Sequence, residues 1–196
     1  MSVRIFLARH GETEWSAAGR HTGRTDLPLT PTGEDQARAL GRRLSSHVFV
    51  SVLTSPARRA RQTCDRAGYA GRAVVVDDLR EWDYGDYEGR TTADIQQEAH
   101  AWDLWHDGAP GGEGPEQVAT RAERVIGEAV AGRDGDVLVF GHGHTSRMLG
   151  ARWVGADPGF GTVLRLSTAS LSLLGWEHGH RAIELWNDTC HLEGRG

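Results

Sequence analysis

The sequence predicts an α/β fold, a three-layer α/β/α sandwich in which helices cover both faces of a mostly parallel sheet. Three observations carry that expectation. Short apolar runs of strand length alternate with segments whose apolar residues recur at helical spacing. Two of the helical segments open on a hydroxyl residue followed by proline, Thr30-Pro31 and Ser55-Pro56, which pairs a cap with a first helical position that needs no N–H. Two strand-like runs, Val3 to Ala8 and Val137 to Phe140, lead into a histidine followed by glycine, and open α/β sheets hold ligands at such strand ends.

In chain order, Val3 to Ala8 reads as a buried strand that delivers Arg9, His10 and Gly11 at its carboxyl end. A helix follows from Thr30-Pro31 to Ser45, with Ala37, Leu40 and Leu44 on one face. Phe49 to Leu53 is a second strand, Ser55-Pro56 opens a helix through Arg59 and Thr63 to about Ala67, and Ala73 to Val76 is a third strand. The stretch from Leu79 to about Pro115 ends in a cluster of glycines and prolines and reads as loop and short helices, partly a lid. Glu116 to Val130 is an amphipathic helix, Asp136 to Phe140 a core strand, and the residues after His142 a helix to about Val154. Thr162 to Leu166, Leu171 to Trp176 and Ala182 to Trp186 read as strands that include an antiparallel pair, with a turn at His178-Gly179-His180. If the two His-Gly strands are neighbours, their imidazoles meet in one crevice.

Composition narrows the chemistry. The 196 residues suit a single domain over 1–196 with a lid-like insertion around 90–115. All 22 basic residues are arginine, which removes Schiff-base, Walker-loop and kinase-lysine chemistry and leaves guanidinium and ten histidines to handle anions. The two cysteines fit neither a disulfide framework nor a zinc pattern and read as free thiols. With a net charge of −5, no basic run, no transmembrane-length apolar run and too short an apolar start for a signal peptide, neither nucleic acid nor membrane is the expected partner. The expected location is cytoplasmic.

No single motif here is decisive, but four occur together. Leu7 to Trp15 with Thr22 to Thr30, then Thr54 to Thr63, Leu79 to Gly89, and Gly141 to Gly143 resemble, in family order, the blocks of the histidine phosphatase (phosphoglycerate mutase-like) superfamily. Trp15-Ser16, the acid block, Trp102 to Gly108 and Gly141 to His144 are most similar to its sedoheptulose-bisphosphatase-like and small acid-phosphatase branch. The resemblance implies a phosphoglycerate mutase-like fold and a phosphatase that acts on a small phosphorylated metabolite, such as a sugar phosphate or bisphosphate, without metal or cofactor. It makes His10 the nucleophile, Arg9 and Arg59 the phosphoryl clamp, His142 a further donor and Glu81 the proton donor. Ser16, Thr22, Gly23, Tyr84, Gly143 and Arg147 become candidate substrate contacts. Ser16 stands where many members have asparagine.

Bland readings stand beside these roles. Glu81 taken alone would be a loop carboxylate paired with Arg80. Arg147 reads almost as well as a solvated arginine, and Trp102 and Trp105, three residues apart, read as packing more than as sugar stacking. His144, His178 and His180 match no strong metal spacing and are better read as solvated or supporting groups. Two other functions stay open: a phosphoglycerate mutase, disfavoured by the short span between Gly89 and Pro115, and a non-catalytic phosphate-binding module of the same fold. The assembly is left open between monomer and homodimer.

Overall fold

The computed structural model describes residues 3–193, so the outermost ends of the expected 1–196 domain lie outside the described residues. The six strands are β1 (Ile5–Arg9), β2 (Phe49–Thr54), β3 (Ala73–Val75), β4 (Asp136–Gly141), β5 (Leu171–Glu177) and β6 (His180–Asp188). They form one sheet in the order β3-β2-β4-β1-β5-β6. The first four are parallel, and β5 and β6 add an antiparallel edge. The mostly parallel sheet is therefore present as expected.

Alternation along the strands builds the two cores. Ile5, Leu7, Val137 and Val139 face one side and Phe6, Ala8, Leu138 and Phe140 the other. The helices in order are α1 (Glu14–Ala17), α2 (Pro31–Leu44), α3 (Arg58–Arg66), α4 (Thr92–Glu98), α5 (Leu104–Asp107), α6 (Pro115–Val130) and α7 (Gly143–Trp153). Val118, Ala122, Val125 and Ile126 of α6 and Met148, Leu149 and Trp153 of α7 cover the first face. Leu40 and Leu44 of α2 and Cys64 of α3 cover the second. The two cysteines are free thiols, and burial pushes that of Cys64 up to about 12, which keeps it inert. Among the described residues no helix is long and apolar enough to cross a membrane.

Two expectations need correction. Thr162 to Leu166 is no strand: a 3-10 turn runs over Pro158–Val163, and Leu164 and Leu166 are buried without joining the sheet. Their neighbouring carbonyls are taken elsewhere, that of Arg165 by the Trp186 indole and that of Leu166 by the Arg9 guanidinium. The helix expected from Ser55-Pro56 begins at Arg58, because the carboxylate of Asp26 caps the Arg58 N–H at 2.6 Å while Ser55 turns toward the strand ends. The short helix α1 went unread. It forms because Thr13 and Ser16 cap each other reciprocally.

The expected turn is present as a tight hairpin in which both His178 (φ 49°) and Gly179 (φ 81°) adopt positive φ between Glu177 and His180. It places His178 and His180 at an exposed tip. The 90–115 segment is packed into the first core through Ile95, Trp102, Leu104 and Trp105. Trp105 meets Trp82 edge to face at 5.4 Å, the packing role expected for it.

Candidate active site

Sheet register assembles the site. Arg9 at the end of β1 pairs with Gly141 at the end of β4, so the residues that follow, His10 and His142, emerge side by side with ring centroids 5.3 Å apart. β2 ends one position earlier against Phe140, which brings Ser55 to the same edge. Three strand ends thus deliver Arg9, His10, Ser55 and His142 to one spot.

His10 is buried, and its Nδ1 lies 2.7 Å from the Gly11 carbonyl. A carbonyl only accepts, so Nδ1 carries the proton and Nε2 keeps a free lone pair. Burial, with the positive charges of Arg59 and Arg9 nearby, holds the imidazole well below its usual pKa, so it stays neutral. A neutral imidazole with a free Nε2 is the form a nucleophile needs.

Arg59 is wholly buried on the first turn of α3, whereas its neighbour Arg58 is exposed. Its Nε donates to Nδ1 of His142 at 3.2 Å, its Nη1 to the Thr25 carbonyl at 3.0 Å, and its Nη2 to the carbonyls of Thr22 at 2.9 Å and Gly23 at 3.1 Å. In this resting state the guanidinium holds the 22–25 loop over the site. Glu88, which the motif reading left without a role, holds that loop from the other side by accepting the N–H groups of Gly23 and Thr25 at 3.0 Å. Residue 23 must be glycine, since a Cβ there would stand 2.5 Å from the Trp82 carbonyl and 2.8 Å from Glu88.

Arg9 donates from Nη1 to the Leu166 carbonyl at 2.5 Å, and its buried Nε has no partner among the described residues. A Cβ on Gly143 would lie 3.6 Å from that Nε and 3.6 Å from Oε2 of Glu81. The unpartnered Nε therefore lies beside the space that Gly143 leaves open, which Glu81 also borders. His142 is fully buried, and burial together with Arg59 keeps it neutral.

Glu81 is anchored by the start of α7. Its Oε1 accepts the N–H groups of Trp82 at 3.0 Å and Thr145 at 2.8 Å, and its Oε2 accepts that of His144 at 3.0 Å. Burial alone would raise its pKa, but the imidazoles of His142 and His144, once strong acid protonates them, and these N–H donors outweigh it and hold the carboxyl well below the ordinary carboxylate range. The expected alternative pairing with Arg80 is not formed, as Arg80 bonds Asp77 at 3.2 Å. Two buried guanidinia against one buried carboxylate leave the site with one net positive charge facing any incoming phosphate.

The remaining candidates divide. Tyr84 is buried with its hydroxyl 2.7 Å from Nδ1 of His144, in a cluster with His21, whose ring lies 4.7 Å from that of Tyr84. Arg147 stacks on Trp105 at 4.6 Å and donates to the carbonyls of Gly161 and Thr162, so it is neither free in solvent nor in contact with the histidine pair. Ser16 is not gathered in: its hydroxyl is used within α1, where it donates to the Thr13 carbonyl and accepts the Thr13 N–H. Thr22 contributes its carbonyl to Arg59, while its hydroxyl turns to the Arg20 carbonyl. A cavity of about 820 Å³ reaches Glu81 past Gly23 and Asp83, but its charged rim is already paired, Arg24 with Asp83 and Arg124 with Asp78. The convergence on His10, rather than this cavity, marks the site.

Sequence reading also missed the brace behind Glu81. Arg121 of α6, buried, forms a two-bond pair with Glu113 at 2.8 and 2.9 Å and donates to the carbonyls of Asp78 and Arg80. Glu113 in turn accepts the Asp83 N–H. Arg121→Ala should cost about 3 kcal/mol of stability, read as a lower urea midpoint at unchanged m, because Glu113 is left as an unpaired, half-buried charge.

The buried neutral histidines predict acid sensitivity. His10 and His142 lie below the ordinary value of 6.5, and burial pushes His144 down to about 3. Protons bind the unfolded chain first, so stability present above the unfolded pKa is lost as pH falls through it. Between pH 7 and 5.5 the loss should be about 1 kcal/mol per histidine, measurable as urea midpoints at the two pH values. A flat profile would mean that these histidines are protonated in the native state.

Residues 5–189 match the histidine phosphatase superfamily, branch 1. An acid phosphatase of Mycobacterium tuberculosis is 42% identical over 193 residues, which cover 96% of this chain and 94% of that protein. A sedoheptulose 1,7-bisphosphatase of Saccharomyces cerevisiae is 39% identical, covering 79% of this chain and 69% of its own. The solved structure of an open reading frame from Mycobacterium tuberculosis superposes with a TM-score of 0.89 at 39% identity, covering 95% of this chain and 98% of that one.

Proposed function

The chain belongs to the histidine phosphatase superfamily, branch 1, and we propose that it hydrolyses small phosphorylated metabolites, sugar phosphates or bisphosphates, through a phosphoryl group carried on His10. The observation that carries the reading is the bond from His10 Nδ1 to the Gly11 carbonyl, which leaves a neutral Nε2 beside Arg9, Arg59 and His142.

In the first half-reaction Nε2 attacks phosphorus, the N–P bond forms as the P–O bond to the leaving group breaks, and Glu81 supplies the proton to the departing alkoxide. In the second, water attacks phosphorus, Glu81 takes its proton, and inorganic phosphate leaves with His10 restored. Arg9 offers its unpartnered Nε to the phosphoryl oxygens, and Arg59 exchanges its carbonyl and imidazole partners for them. His142 donates a further bond. Gly23, Tyr84 and Arg147 line the approach of the leaving group, and Gly143 leaves room for the phosphoryl group. The partner is a diffusible metabolite in the cytoplasm rather than nucleic acid or a membrane.

The substrate class rests on the sedoheptulose 1,7-bisphosphatase and acid phosphatase relatives. One assay tests it: phosphate release from sugar bisphosphates, sugar monophosphates, 3-phosphoglycerate and an aryl phosphate, all in EDTA. Sugar phosphates and bisphosphates should be hydrolysed fastest, at rates the chelator does not change. Isomerisation of 3-phosphoglycerate without phosphate release would point to a mutase, and activity restored only by a divalent ion would defeat the arginine-based clamp.

A further inference from the structure

The resting hydrogen bonds do not fit the role that the phosphatase reading gives His142. Arg59 Nε is a permanent donor, so Nδ1 of His142 can only accept from it at 3.2 Å. The single proton of a neutral imidazole then sits on Nε2, and it goes to the Ser55 hydroxyl at 2.8 Å. In this form His142 has no N–H to give a phosphoryl oxygen. Both ring nitrogens are engaged, and the ring is buried.

We infer that the Ser55 hydroxyl is a positioning group that sets the tautomer of His142 and, by reversing its hydrogen bond, lets His142 donate to phosphate from Nδ1. The inference rests on phosphate binding beside His10. When phosphate draws the Arg59 guanidinium to itself, Nδ1 loses its donor. Solvent water that enters with the phosphate takes the proton from Nε2 and returns one to Nδ1, so the imidazole is neutral before and after and no net proton is released. Nε2 becomes an acceptor, and the Ser55 O–H turns to donate to it.

Only a group that can both accept and donate supports the two states from one position, and a hydroxyl does. The competing route is a doubly protonated His142, which burial and the nearby guanidinia oppose. Ser55 is fixed for the exchange by its place at the end of β2, where its N–H donates to the Phe140 carbonyl at 3.0 Å and its Oγ accepts the Ala57 N–H at 3.2 Å.

The test is a long-range ¹⁵N–¹H spectrum of the histidine-labelled enzyme, with the His142 signals assigned from the His142→Gln variant. Without ligand the proton should sit on Nε2, and with saturating inorganic phosphate on Nδ1. Ser55→Ala should abolish the switch and weaken phosphate binding roughly 10- to 100-fold, the scale of one buried hydrogen bond, and Ser55→Thr should restore both. An unchanged tautomer while phosphate saturates the His10 signal, a doubly protonated ring, or a normal switch in Ser55→Ala would each overturn the inference and leave the phosphatase reading standing. If phosphate moved neither histidine, both would fall. Should Ser55→Ala not fold, the wild-type spectrum and the threonine variant still decide.

Discussion

Replacing His10 with alanine should lower kcat by roughly 10⁴-fold or more, the scale seen when a covalent nucleophile is removed from its support. No second imidazole can take over. His142 is committed at both nitrogens without ligand, to Arg59 and Ser55, and with phosphate bound it is turned to donate from Nδ1, while His144 bonds Tyr84 through Nδ1. Wild-type enzyme quenched during turnover should carry one acid-labile, base-stable phosphoryl group per chain, located at His10. In His10→Ala the label should vanish while inorganic phosphate still binds, because Arg9 and Arg59 do not need the imidazole in order to stay charged. That pairing separates loss of the nucleophile from loss of the pocket. Near-normal turnover by the alanine variant, or a label at another residue, would overturn the mechanism.

What made the meeting of His10 with His142 legible was a strand pattern that ends in polar residues, whereas the role of His10 comes from the motif resemblance. Val3 to Ala8 and Val137 to Phe140 are apolar until the sheet runs out, and parallel pairing of β1 with β4 then forces the two His-Gly ends together. Helix geometry after β2 says only that one of Arg58 and Arg59 can face inward, and the choice of Arg59 comes from the motif resemblance. The groups that support them were not legible. Glu88 reaches Gly23 across 65 positions and Arg121 reaches Arg80 across 41, and no local spacing encodes such pairs. Ser55 was visible but misassigned as a helix cap, because its tie to His142 spans 87 positions. Leu164 to Leu166 shows the opposite failure. Its alternating burial looks like a strand, but β1 is already paired on both sides, so the segment spends its carbonyls on side chains instead.

The other large effect belongs to Glu81. Glu81→Gln should slow hydrolysis of alkyl and sugar phosphates by roughly 10³-fold, within the usual range for general acid catalysis. The amide keeps the shape but has no proton to give, and its NH₂ must face either the N–H of His144 or those of Trp82 and Thr145. In the free enzyme the carboxyl is held well below the ordinary range, so it is ionised at working pH. A bound phosphate dianion reverses that bias by repelling the carboxylate, and the protonated form then appears in the complex. The complex of neutral acid with dianion has the same proton count as the carboxylate with phosphate monoanion, so kcat/KM should fall as pH rises above the second phosphate pKa of about 6. His10, neutral to well below 6.5, places no competing limb near neutrality, and the optimum should be acidic. Leaving-group dependence is the sharper measure. An aryl phosphate needs little protonation, so its burst-phase phosphorylation should be slowed far less than that of a sugar phosphate, while the phosphohistidine should persist longer because the same variant lacks the base for water. Equal burst-rate losses for both substrates would exclude Glu81 as the leaving-group acid. Asp83 is tied to Arg24 and the Gly85 N–H, so that outcome would leave the substrate's own phosphate proton to serve the departing alkoxide.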